Sequence, residues 1–307
     1  MPDSFPIKAV VYTSSRIALP LISALHARGN LGGVVIGGNR SPEESQLVAE
    51  LQNQKIAYEV FQPDDTGGLL RAFQRWEINL GLCFSFSRIL PSVILQSAEF
   101  GTYNLHPSAL PAYRGPMPIF WQIKHGVHSS ALCLHHATQE IDAGNLVIQQ
   151  PLSIHSLDTF SSLVLAIAGQ APTVAMQLLE MIAAIGHAPA GEAQCGALVP
   201  APMPIATDVI VDWQAMTPTE IQNCARACNG FCGGATFYWR NIPLALLQVT
   251  PVDAPTHGTK PGTVVMLAEP EGLVVAARDG AVRLDVISTA EGIFGGVAFA
   301  ERFGLDA

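Results

Sequence analysis

IKAVVYTSSRIALPLISALHARGNLGGVVI, residues 7–36, reads as strand, helix and strand: Ile7 to Tyr12 is an apolar β-rich run, Ala18 to Arg28 an amphipathic helix, and Gly33 to Ile36 a second apolar run. The pattern continues outward from it. A helix is predicted over Pro42 to Gln54, a strand over Tyr58 to Phe61, a helix over Gly67 to Trp76, a strand over Leu80 to Phe84 and a short helix over Pro91 to Gln96. Strands alternating with helices at this spacing imply βαβ units. The expected fold class is therefore α/β, with an open, Rossmann-like, mainly parallel sheet covered on both faces.

After Tyr103 the texture changes to a Pro-rich loop, a helix near Ile119 to His125, and apolar runs at Ala131 to His135 and Leu146 to Ile154. Ser156 to Ile185 holds Leu, Val and Ala at helical spacing, with Ser156 or Asp158 as its cap. Residues 188–204, APAGEAQCGALVPAPMP, are rich in Ala, Pro and Gly without periodicity and read as a linker. Domains are thus expected at 1–187 and 205–307. The second opens with a helix at Pro218 to Cys228, followed by short apolar runs near 235–239, 245–250, 262–267, 272–277 and 281–286. Turn residues between them suggest a smaller C-terminal β-barrel of OB-like character.

The chain has 307 residues, 49% of them hydrophobic and 13% charged, with 16 Lys and Arg against 25 Asp and Glu and a net charge of −9. So much apolar material excludes a disordered chain. The acidic balance disfavours an obligate nucleic-acid binder, whose affinity comes from clustered cations. Residues 1–200 hold 10 basic and 14 acidic side chains and residues 201–307 hold 6 and 11, so the second domain is the more acidic per residue. The first residues carry no secretory pattern and the apolar runs read as interrupted too early for a membrane span, so a cytoplasmic protein with no membrane partner is expected. The oligomeric state is left open. Six cysteines without paired zinc spacing read as reduced thiols. Cys224, Cys228 and Cys232 could share a helix face, but Gly230 ends that helix, and a packed face is the simpler reading than a metal. No metal is expected.

Chemistry concentrates in Asn104-Leu105-His106-Pro107-Ser108-Ala109-Leu110-Pro111-Ala112-Tyr113-Arg114-Gly115, followed by Ile141-Asp142-Ala143-Gly144. Asn104 and His106 lie two apart at a strand end, so extended backbone points both side chains to one face. Ligands of open α/β sheets bind beyond the carboxyl ends of the strands. An Asn amide donates to a developing oxyanion, a His exchanges a proton, and an Asp orients and charges that His. Ser108 lies in no nucleophile elbow and no Cys neighbours the His, so direct transfer is favoured over a covalent intermediate. His135 and His136 approach on a neighbouring strand and could touch substrate.

This segment resembles the signature of the 10-formyltetrahydrofolate-dependent formyltransferases, in which Asn-x-His-x-Ser-Leu-Leu-Pro-x-Tyr/Trp-Arg-Gly is followed by Asp-x-Gly. The resemblance extends to Phe86 through Pro91 and, downstream, to Val211-Asp212-Trp213, Ile221 to Ala235, and Pro261 through Leu284. It implies Asn104, His106 and Asp142 as the catalytic set, with Asn104 and protonated His106 stabilising the oxyanion and Asp142 tuning His106 and relaying protons. It further implies that Arg88, Ile89, Leu90, Ser108, Ala109, Leu110, Pro111, Thr138, Gln139, Glu140 and Ile141 enclose the folate, 10-formyltetrahydrofolate being the formyl donor.

Two departures bear on the acceptor. Methionyl-tRNA formyltransferases carry a long basic loop after the second strand, whereas here Gly37 to Ser45 has one basic and two acidic residues. The family's Asn-Pro-Trp-Pro-Gly-Ala turn is replaced by Asn229-Gly230-Phe231-Cys232-Gly233-Gly234-Ala235. Both point to a small-molecule amine, such as an amino-sugar nucleotide, as acceptor. Methionyl-tRNA and water, which would make the protein a hydrolase, are the alternatives, and a non-catalytic folate sensor is the rival from another class.

Overall fold

The structure, a computed structural model, describes residues 6–305. The chain divides into two compact units that interleave along the sequence. The first runs from the start of the described chain to Pro116 and adds Ser129–Ser153 and Val164–Ala201; the second comprises Met117–His128, Ile154–Leu163 and the residues from Pro202 onward.

In the first unit, strands β1 (Ala9–Thr13), β2 (Leu31–Ile36), β3 (Tyr58–Val60), β4 (Leu80–Phe84) and β5 (Thr102–His106) form parallel neighbours. Every residue of β1 and β4 is buried, as expected of central strands covered on both faces. Helices α1 (Leu19–Ala27), α2 (Pro42–Asn53), α3 (Thr66–Arg75) and α4 (Ser92–Leu95) make the crossovers. Their ends follow from local chemistry: Ser41 Oγ accepts from Glu44 N with Pro42 in the first turn of α2, and Asp65 caps Gly68 N in α3. Beyond β5 the sheet changes sense. A short strand β6 (Ala112–Arg114) and helix α5 (Pro118–Lys124) intervene before β7 (Ser129–His136) pairs antiparallel with β5 and β8 (Leu146–Ser153) pairs antiparallel with β7. The order is β3-β2-β1-β4-β5-β7-β8, so the mainly parallel sheet is as expected and its last two strands are reversed.

Two expectations are corrected here. Helix α6 (Phe160–Ile185) is uninterrupted and is long and apolar enough, by length and composition, to cross a membrane. It is nonetheless a core helix: Ile167, Ala171, Val174, Ala175, Leu178 and Ile182 recur on one face and are buried. The stretch read as a linker also packs in part with the first unit, where β9 (Val199–Pro200) pairs with β6 and Glu192 exchanges backbone hydrogen bonds with Leu146.

The second unit holds α7 (Pro218–Cys228), opened by a Thr217–Glu220 capping box, and strands β10 (Ala235–Trp239), β11 (Ile242–Val252), β12 (Val264–Ala268), β13 (Gly272–Ala277), β14 (Gly280–Thr289) and β15 (Gly292–Gly295). These form a six-stranded antiparallel sheet in the order β10-β11-β14-β13-β12, with β15 added to β14. The expected β-rich domain is thus present as an antiparallel sheet. Helix α8 (Gly296–Phe303) follows β15, and its Phe299 and Phe303 meet Trp239 edge to face. Cys224 and Cys228 are buried in α7, and Gly230 takes φ +90 just past its end, so the thiols form a packed face. Among the described residues no group of His, Cys, Asp and Glu is arranged to hold a metal ion.

Candidate active site

β5 ends in Asn104-Leu105-His106, and its alternation buries Leu105 while turning Asn104 and His106 to one face. Register with β7 then decides what joins them. Asn104 sits opposite His135 and His106 opposite Cys133, and directly opposed residues share a face. His135 therefore stands beside Asn104, whereas His136 turns the other way, donating from Nε2 to Pro189 O at 2.8 Å and lying 4.7 Å from the Tyr103 ring.

Asp142 reaches this cluster from the loop after β7. It occupies the left-handed region at φ +53, a conformation an Asp tolerates better than most residues. The loop can close because residue 144 is Gly: a Cβ there would collide with the His136 carbonyl oxygen. The Asp142 carboxylate is the hub of the site. Oδ1 accepts from Asn104 Nδ2 at 3.0 Å and lies 3.5 Å from His135 Nε2; Oδ2 accepts from Gly115 N at 2.9 Å and lies 3.4 Å from His106 Nδ1.

The two imidazoles have definable tautomers. His135 Nδ1 is 2.9 Å from the His136 carbonyl, which can only accept, so Nδ1 carries the proton and Nε2 accepts from Asn104 Nδ2 at 3.1 Å. His106 Nε2 faces the Tyr113 carbonyl at 2.9 Å and is likewise a donor. Its Nδ1 is left as the basic nitrogen, turned to Asp142. Both Asn104 amide hydrogens are engaged in this arrangement, one by Asp142 and one by His135.

Burial dominates the His106 ring and lowers its pKa below the usual histidine value, although Asp142 and the Tyr113 carbonyl pull it upward; His135 and Arg114 pull it further down. For Asp142 burial acts upward, but the His135 and His106 rings, in their protonated forms, and the Gly115 N–H together outweigh it, and its carboxyl titrates below the usual range. Asp142 is thus ionised and His106 holds a proton loosely. Such a pair can take a proton and give it back.

The residues expected around a folate fall into two groups. Gln139 Nε2 donates to Leu90 O at 2.8 Å and so brings the 88–90 and 138–141 loops together. Ile89 and Ile141, on those loops, are 59% and 56% exposed, and Arg88 Nε donates to Gly37 O. Thr138 Oγ1 turns back to Glu140 O, and Glu140 is solvent-exposed with Arg114 Nη1 3.6 Å away. Ser108 and Leu110 differ from this group. The Ser108 hydroxyl is wholly buried and donates to Ala112 O, and Leu110 packs with Ala131 and Cys133, so these side chains build the loop from inside. Ala109 packs partly buried against the same cluster, and Pro111 is buried after a cis peptide bond.

Sequence reading placed Asn104, His106 and Asp142 together, and the structure joins them. It underweighted His135, which strand register brings to Asn104. It missed the Tyr113 carbonyl, the Gly115 N–H and Gln194, which donates to the carbonyls of both Asp142 and Gly144. Backbone groups and an aperiodic loop leave no sequence signal for such roles.

Residues 37–179 match the formyl transferase family, and residues 205–297 match the formyl transferase C-terminal domain. Methionyl-tRNA formyltransferase of Thermotoga maritima is 28% identical over 203 residues, 66% of this chain and 63% of that protein, so the chain spans less than two thirds of this relative. Among solved structures, HypX from Aquifex aeolicus in complex with tetrahydrofolic acid superposes with a TM-score of 0.64 at 17% identity, over 99% of this chain and 48% of that one. An N-formyltransferase from Helicobacter canadensis, in complex with folinic acid and dTDP-3-aminofucose, gives a TM-score of 0.66 at 19% identity, over 90% and 98% of the two chains. The structural likenesses establish the fold, and the sequence matches cover most of it: the chain belongs to the formyl transferase family.

Proposed function

We propose that the protein transfers a formyl group from 10-formyltetrahydrofolate to the primary amine of a small molecule. The observation that carries this reading is the joined Asn104, His106 and Asp142 set at the carboxyl end of β5. A folate on the 88–90 and 138–141 loops is supported by Gln139 holding the two loops together and by exposed Ile89 and Ile141, which offer apolar side chains to a flat ring. When bound, the folate supplies the formyl carbon that the amine attacks. Arg88, Ile89, Leu90, Gln139, Glu140 and Ile141 would hold it.

The chain's own residues divide the remaining work. Tyr113 O fixes the proton of His106 on Nε2, so a proton released by the amine is received on Nδ1, against Asp142 Oδ2. The lowered pKa of His106 favours this proton-accepting role over a permanently protonated one. Asn104 Nδ2 is the donor for oxygen charge, once His135 Nε2 yields one of its hydrogens.

A small acceptor is supported by the loop after β2. Glu44 is buried and accepts from Gly38 N at 2.9 Å and Arg40 N at 2.7 Å, folding residues 37–41 on themselves, while Ser15 Oγ donates to Glu43. Exposed Arg40 is the loop's single basic side chain, beside Glu43 and Glu44, and offers little to a phosphate backbone. The test is formyl transfer from 10-formyltetrahydrofolate to amino-sugar nucleotides, small amines and methionyl-tRNA in parallel, with a control lacking acceptor. Product on a small amine supports the reading. Product on tRNA alone replaces the acceptor, formate release unaffected by any amine makes the protein a hydrolase, and tight folate binding without turnover leaves a sensor.

A further inference from the structure

Residues 192–198 lie in the segment whose composition suggested a linker, and Gln194 is the one among them that is not exposed. Its amide is fully used. Nε2 donates to Asp142 O at 2.7 Å and to Gly144 O at 2.8 Å, while Oε1 accepts from Arg114 Nε at 3.0 Å and Nη2 at 2.7 Å. Two donors and two acceptor positions exhaust what a carboxamide offers.

The three partners belong to the two loops that frame His106. Asp142, left-handed at φ +53, and Gly144 belong to the turn that aims the carboxylate, and Arg114 lies between Tyr113, whose carbonyl holds His106 Nε2, and Gly115, whose N–H holds Asp142 Oδ2. Tyr113 is itself left-handed at φ +61, so neither loop rests in a conformation its residues prefer. A clamp that spans both is the kind of support such a geometry requires.

We propose that Gln194 is a positioning residue: it locks the Asp142 turn to the Arg114 loop and so holds the carboxylate at its working distance from His106. This rests on reading His106 and Asp142 as the proton-handling pair. The rival role for the same contacts is that Gln194 ties its own segment down through Arg114.

Glutamate separates the two. Gln194→Glu keeps the shape and strengthens the acceptor toward Arg114, but it cannot donate to the Asp142 and Gly144 carbonyls. Gln194→Met keeps the length and loses both sets of bonds, and serves if one variant folds poorly. The readout is the titration of the His106 imidazole by NMR, assigned by its loss in His106→Gln, with Asp142→Asn as reference. His106 is faced by Asp142, His135, Arg114 and the Tyr113 carbonyl, and of the charged groups Asp142 alone raises its pKa. Positioning predicts that Gln194→Glu and Gln194→Met both move the His106 midpoint downward, in the direction of Asp142→Asn, and lower kcat by on the order of tenfold to a hundredfold with little change in KM for 10-formyltetrahydrofolate. Wild-type titration and turnover in Gln194→Glu would overturn the proposal, as would an unmoved midpoint in both variants while Asp142→Asn shifts it. If Asp142→Asn itself leaves the midpoint in place, the proton-pair reading fails and takes the proposal with it.

Discussion

At the scale of single residues, the site is decided by which atoms are already spent. His106 has acceptors on both nitrogens, so only the imidazolium would satisfy both, yet burial pulls its pKa down. The neutral ring is therefore the resting form near neutrality. For activity this predicts an acid limb in the pH profile of kcat/KM with a midpoint below the usual histidine value of about 6.5. Asp142→Asn removes a charge that raises the His106 pKa, so the limb should move to lower pH in the residual activity. A limb that moves upward would exclude His106 as the group observed. His106→Ala and Asp142→Ala should each reduce transfer by about two orders of magnitude or more with the fold retained by circular dichroism. The same titrations affect stability. A depressed His106 contributes stability that is present above the unfolded-state pKa and lost as pH falls through the lower folded value. The depressed Asp142 adds a second loss below the ordinary aspartate range. Denaturant midpoints taken at intervals from pH 7 to pH 3 should show both declines.

At the scale of elements, the loops carry more of the site than the strands do. Gly144→Ala places a Cβ against the His136 carbonyl, a backbone atom of β7 that cannot turn aside. We expect a loss of about 1–3 kcal/mol, read from urea unfolding, together with a fall in turnover because the Asp142 turn must shift. Unchanged stability would show that the loop has room to move. Glu44 predicts the opposite combination. Its carboxylate satisfies two backbone N–H groups of the 37–41 loop, so Glu44→Ala should cost about 1–3 kcal/mol while leaving the His106 titration in place.

The elements around these loops were read closely from the sequence. Leu80–Phe84, Pro218–Cys228, Ala235–Trp239 and Gly272–Ala277 begin and end where apolar periodicity, caps and turn residues place them. The Asn104, His106 and Asp142 set was legible too, because two of its members share a strand and the motif loop is compact in sequence. The reversed sense of β7 and β8 was not, since a strand's direction depends on how the chain returns to the sheet. Strand β15 and helix α8 lay in a Gly-rich end with little periodicity.

For the whole molecule, charge is the property that ranks acceptors. A net charge of −9, with 11 acidic against 6 basic side chains beyond residue 200, opposes a polyanion. If tRNA were the acceptor, its affinity should fall steeply with salt as bound counterions are released. A small-amine acceptor predicts that KM for the amine changes little between about 50 and 200 mM salt, the range over which phosphate contacts weaken.

Composition, periodicity and one motif in the amino-acid sequence determined the α/β sheet, the β-rich second unit and the choice of Asn104 and His106 at the end of β5 with Asp142 in the loop after β7. These follow from the order of residues along the chain, where periods of two and 3.6 and the spacing of a motif are directly expressed. Only the tertiary structure decided that His135 shares a face with Asn104, that Tyr113 O sets the His106 tautomer, and that Gln194 reaches across to Asp142 and Arg114. Those contacts join residues 7 to 80 positions apart, half of them through backbone atoms that every residue possesses. They depend on strand register and loop closure, which side-chain identity along the chain does not encode.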